Sequence, residues 1–247
     1  MNTEDLGHIY HRVMEEEQEN IVRPEDFKIH ASKSSNIMGI KALGKTGEGF
    51  IEEWYLSKKY NRKKDFYSQF VEKGLITEDI GIAMLSRKLG VELYKNDEYF
   101  SDDEMIGTPD INLPIEILDS IWDIKQSWSL FTFPYFDTEL PNKDYFYQLQ
   151  VYMALTGKTK AGIAYCLVDT PKPLVMQELK KLYYASGGVA EDWTPETYEH
   201  LYPNYRFDDI PESKRIKIFE VKRDEVVIQK IRDRVVEARA YLTSILK

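Results

Sequence analysis

Eight consecutive residues, Ala161-Gly162-Ile163-Ala164-Tyr165-Cys166-Leu167-Val168, carry no charged side chain. A run this short and this continuously apolar reads as a strand buried on both faces, at the centre of a sheet. Layers of other structure must cover it. The segment before it, 144–156, is apolar and aromatic and stops at Gly157, so it reads as a helix. Extended patterns are expected at Phe27–His30, Val91–Tyr94, about 97–100, Met105–Ile111, Ile115–Lys125 and Arg215–Val221. Helices are expected over about 3–19, 47–60, 69–89 and 224–246, with Pro-punctuated helices to about 200. The order implies an α/β domain with a central mixed β-sheet flanked by helices, and extra helices at both ends. We expect a single domain over 1–247: an N-terminal helical part (1–65), a core (69–170), and C-terminal helices with one strand (171–247).

Composition agrees with a globular chain: 43% of the 247 residues are hydrophobic, ample for one core. No apolar run approaches the roughly 20 residues needed to span a bilayer. The opening Met1-Asn2-Thr3-Glu4-Asp5 has neither a basic flank nor a hydrophobic stretch. Cytoplasmic residence without membrane association is the expectation. The single cysteine, Cys166, excludes an internal disulfide, a Cys-rich zinc site and a four-cysteine iron–sulfur cluster. Net charge is −9, the opposite of a bulk basic nucleic-acid binder. A local basic channel can coexist with an acidic exterior, and a bound cation offsets an acidic site.

Four patterns carry chemistry. In Ile117–Lys125, Asp123 and Lys125 are two apart on a strand and share a face; an exposed ion pair at a strand end is the plain alternative. In Gly107-Thr108-Pro109-Asp110, Gly and Pro suggest a bend. A hairpin would bring Asp110 beside Asp123, where two carboxylates are costly unless a cation lies between them. Such oxygen ligands suit Mg²⁺ or Mn²⁺. Glu78 shares a helix face with Ile82, Leu85 and Leu89, or is a first-turn acid open to solvent. Gln148 and Tyr152 lie four apart on one face of the 144–156 helix. They either reach a substrate phosphate or hold the carboxylates, unless Gln148 only satisfies a loop backbone. In 224–246, Ile228, Ile231, Val235, Ala238, Leu242 and Ile245 form one stripe, for core packing or a subunit seam.

In this order the patterns resemble the PD-(D/E)XK nuclease superfamily, in particular its RecB-type and lambda-exonuclease-type branch. There a helical acid precedes a Gly-x-x-Asp strand, a (D/E)-x-K strand, and a helix bearing Q-x-x-x-Y. The matching residues are Glu78, Gly107 with Asp110, Asp123 with Lys125, and Gln148 with Tyr152, spanning about residues 30–168. Tailed-phage exonucleases also have counterparts of Lys73-Gly74-Leu75 and Tyr165–Pro171. Two departures stand out: the second acid is Asp123 rather than the commoner Glu, and the cysteines of the iron–sulfur members are missing.

The resemblance implies a restriction-endonuclease-like core with Glu78, Asp110, Asp123, Lys125, Gln148 and Tyr152 as catalytic residues. It implies one or two Mg²⁺ ions, replaceable by Mn²⁺, held by Asp110, Asp123, the backbone carbonyl of Ile124 and Glu78. Lys125 would orient or help deprotonate the attacking water, or stabilise the charge that builds at the phosphorus. The implied activity is exonucleolytic hydrolysis at duplex DNA ends in phage-type recombination or replication, leaving 5′-phosphates. A structure-specific endonuclease, an idle DNA- or partner-binding module and a small-phosphoester hydrolase are the alternatives. Ser32, Lys33, Ser34 and Ser35 are candidate contacts to DNA phosphates, against an ordinary helix cap; His30 beside them reads first as structural. Trp128 is a candidate for base stacking, against core packing. The basic run Lys58–Lys64 is either a solvated loop or a duplex-tracking patch. The branch further implies a single-strand annealing protein as partner, and a ring-shaped trimer where other branches are monomeric.

Overall fold

The computed structural model describes residues 20–64, 68–114 and 117–247, with the side chains of 197 and 198 excepted. The helix expected over 3–19 lies outside them. Among the described residues the chain divides into two compact units. One comprises 20–28, 36–64 and 231–247; the other comprises 29–35 and 68–230. The second unit holds every strand and every residue matched to the nuclease pattern.

In that unit β1 (Ile29–His30), β2 (Phe100–Ser101) and β3 (Met105–Gly107) make a small sheet with β3 in the middle, parallel to β1 and antiparallel to β2. A four-stranded sheet runs in the order β4 (Ile111–Asn112), β5 (Ser120–Gln126), β6 (Lys160–Cys166), β7 (Ile216–Lys222). Only β5 and β6 are parallel to each other; the outer pairs are antiparallel. The apolar run is therefore an internal strand, and Ala161 through Val168 are all buried. The mixed α/β expectation holds, with two mixed sheets where one was expected.

Helix α1 (Gly44–Lys59) belongs to the first unit, and α2 (Gln69–Leu89) to the second. Ile82, Met84 and Leu85 of α2 form one core with Trp122 and Ile124 of β5, and with Ala164 and Cys166 of β6. The helix stops at Gly90, whose φ of +71° suits a residue without Cβ. Helix α3 (Lys143–Thr156) stops in the same way at Gly157, with φ +74°. It meets the opposite face of β5, the one that carries Asp123. Helix α4 (Lys172–Ala185) and α5 (Glu225–Ile245) follow.

Three strand expectations need correction. Residues 91–94 form no strand, and of 97–100 only Phe100 does. Their hydrogen bonding is irregular instead: the Asn96 N–H donates to the Asp110 carbonyl at 2.7 Å. The strand expected over 105–111 is broken, because Thr108-Pro109 bends the chain out of one sheet and into the other. The strand expected from 115 starts only at Ser120. Before it, the N–H groups of Ile117, Leu118 and Asp119 all turn onto the Pro114 carbonyl at 3.1–3.2 Å. Asp119 sits there at φ +45°, a left-handed position that Asp tolerates better than most residues.

In the first unit Phe27 packs edge-on against Trp54 of α1, with ring centroids 5.0 Å apart. The Arg239 guanidinium of α5 donates twice to the Phe27 carbonyl, at 2.9 and 3.1 Å. The stripe of α5 is buried at Ile228, Ile231, Val235, Ala238 and Leu242, while Ile245 is 45% exposed.

Candidate active site

Antiparallel pairing aligns Ile111 with Trp122, so Asp110, one residue earlier, falls opposite Asp123. The bend at Thr108-Pro109 delivers it there. Its carboxylate accepts the N–H of Ile124 at 2.7 Å. Burial, and then the neighbouring Asp123 charge, push the Asp110 carboxyl up to about 7, against the pull of the Ile124 N–H and Lys125.

Asp123 is almost fully buried. One oxygen accepts the Gln148 amide at 2.7 Å. The other forms an ion pair with Lys125 Nζ at 2.5 Å. Burial works against the Lys125 charge, but Asp123, Tyr145 and Asp110 outweigh it and hold the ammonium above its ordinary range. Its Nζ also lies 4.7 Å from the centre of the Tyr145 ring. Lys125 is thus a cation here, suited to stabilising negative charge rather than to taking a proton.

Gln148 and Tyr152 brace the carboxylates. The Gln148 amide nitrogen also donates to the Tyr152 hydroxyl at 3.0 Å, and that hydroxyl donates to the Thr108 carbonyl at 3.1 Å. This chain of bonds links the Asp123 strand to the bend that carries Asp110. The Tyr152 ring lies on Gly107, where an added Cβ would come within 2.7 Å of it. That close approach is why the Gly-x-x-Asp pattern needs its glycine. Burial and the Asp123 charge raise the Tyr152 hydroxyl far above its usual range, so it stays protonated.

Glu78 lines a recess of about 170 Å³ together with Asp110, Lys125 and Gln126. Its carboxylate, however, is held by Lys95 Nζ at 2.6 Å. Among the described residues no three His, Cys, Asp or Glu side chains stand together as a metal-binding group. The structure therefore brings together Asp110, Asp123, Lys125, Gln148 and Tyr152, with Glu78 beside them but turned to another partner.

The chemistry of the pair still fits a divalent cation. Asp123 is buried with Lys125 as its single ammonium partner among the described residues, and the adjoining Asp110 resists ionisation next to it. Both are what two carboxylates show when a cation would relieve them. Asp110 and Asp123 would be its ligands, next to Ile124, whose N–H already donates to Asp110.

The other expected contacts are placed as follows. Ala31–Ile37 is a 3-10 helix. Ser32 and Lys33 are exposed and Ser35 is half-buried, while Ser34 is buried and donates to the Ala31 carbonyl at 2.8 Å. His30 Nδ1 pairs with the Ser32 hydroxyl at 3.0 Å. Trp128 is buried edge-on against Phe70 and Tyr205, which leaves little of the indole for a base. Among the basic run, Lys64 pairs with Glu53 at 2.8 Å.

Sequence reasoning missed Tyr145, Lys95 and the role of Lys73. Tyr145 was within reach, since 145, 148 and 152 share a helix face. Lys95 lies in irregular chain, where no periodicity points to it. Lys73 is fully buried and donates to the Ser127 carbonyl at 2.6 Å, tying α2 to the exit of β5; burial lowers its pKa to about 7.

No family model and no curated protein matches the chain. Solved structures do. A phage-related exonuclease from Haemophilus somnus 129PT matches with a TM-score of 0.70 and 22% identity, over 90% of this chain and 97% of its own. An alkaline exonuclease (LHK-Exo) from Laribacter hongkongensis matches with a TM-score of 0.60 and 14% identity, over 88% of each chain. LHK-Exo in complex with dAMP matches with a TM-score of 0.53 and 16% identity, over 88% of this chain and 87% of that one. With the paired carboxylates lying where β4 meets β5, this chain has the fold of the phage-related and alkaline exonucleases.

Proposed function

We propose that this chain is a Mg²⁺-dependent deoxyribonuclease that hydrolyses phosphodiester bonds at duplex DNA ends and leaves 5′-phosphates. The observation that carries this reading is the placement of Asp110 opposite Asp123, with Lys125 paired to Asp123 and Gln148 bracing it. Two carboxylates and an ammonium on one strand pair are the components of metal-assisted phosphodiester hydrolysis. The shared fold with exonucleases supports a nucleic-acid substrate, and LHK-Exo, one of the structures with that fold, is known in complex with dAMP.

When bound, Mg²⁺, or Mn²⁺ in its place, supplies Lewis acidity to the scissile phosphate and acidity to a water. Asp110 and Asp123 would hold the ion through their charge, and the Ile124 carbonyl would add a neutral oxygen ligand. Lys125 offers its ammonium to the phosphate oxygens as negative charge builds in the transition state. Gln148 keeps Asp123 in one orientation and does not need to touch substrate. Ser32 and Lys33 are exposed on the 3-10 helix and are available to DNA phosphates. Action in phage-type recombination beside a single-strand annealing protein, and a trimer, go with the lambda-exonuclease-type form of this reading; a monomer goes with other branches.

The test uses linear and covalently closed circular duplex with Mg²⁺, for wild type, Asp123→Ala and Lys125→Ala. Wild type should degrade linear duplex to 5′-mononucleotides and spare the closed circle. Both variants should lose activity by at least about 100-fold. Rapid cutting of closed circles would replace the exonuclease reading with an endonuclease. Undiminished activity in both variants would place the chemistry elsewhere.

A further inference from the structure

Each of the three acids has its own donor. Asp110 accepts a backbone N–H, Asp123 is paired with Lys125 on its own strand, and Glu78 is paired with Lys95. The first two arrangements are built into β5. The third is not: Lys95 reaches Glu78 from irregular chain, on a half-exposed side chain.

Its position is nonetheless defined. The next residue, Asn96, donates its backbone N–H to the Asp110 carbonyl at 2.7 Å and its amide to the Pro109 carbonyl at 3.0 Å. These bonds sew the backbone beside Lys95 onto the bend that carries Asp110. An ammonium is thereby tethered next to the carboxylates, with a long stem that can swing.

We propose that Lys95 is a resident counter-cation for Glu78, which it surrenders when a divalent ion enters. Glu78 lines the same recess as Asp110, and its charge would repel that carboxylate without compensation. Lys95 relieves that cost in the metal-free protein. The Ile124 N–H and Lys125 belong to β5 and the Gln148 amide is buried, whereas Lys95 is half-exposed and can leave without disturbing the strand. Metal entry then exchanges an ammonium for a divalent ion at Glu78. The exchange would lower net metal affinity. This inference rests on the metal-site reading above.

The experiment measures Mn²⁺ binding to the full chain by titration calorimetry, and thermal midpoints in EDTA and in Mn²⁺. The proteins are wild type, Lys95→Met, Lys95→Gln, Lys95→Arg and Asp123→Asn. Without its competitor the site in Lys95→Met and Lys95→Gln should bind Mn²⁺ about fivefold tighter, the scale of removing one partly screened charge near a divalent ion. Their midpoints should fall in EDTA and recover in Mn²⁺, so the Mn²⁺-induced shift exceeds that of wild type. Lys95→Arg keeps the charge and should bind Mn²⁺ like wild type.

Affinity in Lys95→Met and Lys95→Gln equal to or weaker than wild type, with Asp123→Asn impaired, would overturn the proposal while leaving the metal site standing. A midpoint lowered equally in EDTA and in Mn²⁺ would make Lys95 purely structural and overturn it as well. Wild type that binds no Mn²⁺, or Asp123→Asn that binds like wild type, would sink the metal-site reading and the proposal with it.

Discussion

Asp110 gives the metal-free protein one pH-dependent contribution to stability. Its folded pKa of about 7 stands above the ordinary 3.8, so the folded state holds this proton more tightly than the unfolded chain does. The stability it contributes is full below about pH 4 and is lost as pH rises through 7. Asp110→Asn removes that loss. In EDTA at pH 8 the variant should be more stable than wild type by about 1–3 kcal/mol, and at pH 5 the gap should narrow. Denaturant melts at the two pH values measure this. An identical pH 5 to pH 8 difference in both proteins would show that Asp110 ionises normally. Gln148 is the complementary case. Its amide serves Asp123 and Tyr152 together, so Gln148→Ala leaves a buried carboxylate oxygen without its donor. Supporting residues of this kind cost roughly 10- to 100-fold in activity or metal affinity. We expect kcat to fall in that range with KM for DNA little changed; a change confined to KM would mean that Gln148 touches substrate instead.

At the scale of elements, the bend between β3 and β4 does the most for the site, because it moves one chain from one sheet to the other within Thr108-Pro109-Asp110. Gly107→Ala tests how tightly it is held. The new methyl would meet the Tyr152 ring at 2.7 Å and the Ala31 side chain at 3.0 Å. Neither neighbour is a loose tip, so a loss of about 1–3 kcal/mol is expected, together with reduced activity as Tyr152 is pushed off the Thr108 carbonyl. A thermal midpoint and activity both unchanged would mean that the ring simply slides. The same bend shows what could be read in advance. Gly107, Pro109 and Asp110 marked a break in the pattern, and Asp123 with Lys125 marked one face of a strand, because both are local rules of backbone and alternation. Helices α2 and α3 were legible for the same reason, each running to a glycine. The Lys95 side of the site was not. Residues 91–99 lack a period, and their structure comes from Asn96 bonding to residues 109 and 110, a tertiary fact with no local signature. The turning of Glu78 to Lys95 was hidden with it.

On the scale of the whole molecule, the division into two units regroups the ends of the chain. Residues 231–247 belong with 20–28 and 36–64, although more than 160 positions separate 64 from 231. The Arg239 bonds to the Phe27 carbonyl are part of that closure. Periodicity alone left the α5 stripe open between core and subunit seam, since both present apolar residues at spacings of three and four. Burial separates the two. Val235, Ala238 and Leu242 are fully buried within one chain, whereas Ile245, in the same register, is 45% exposed. A core stripe should therefore respond unequally along its length. Leu242→Ala should cost about 2–5 kcal/mol, the range for emptying a packed leucine site. Ile245→Ala should stay within about 0.5 kcal/mol, as for an ordinary surface change. Denaturant melts at two protein concentrations an order of magnitude apart read both numbers. Similar losses in the two variants, growing as the protein is diluted, would make the stripe a seam between subunits, because only an interface would bury Ile245 and respond to mass action.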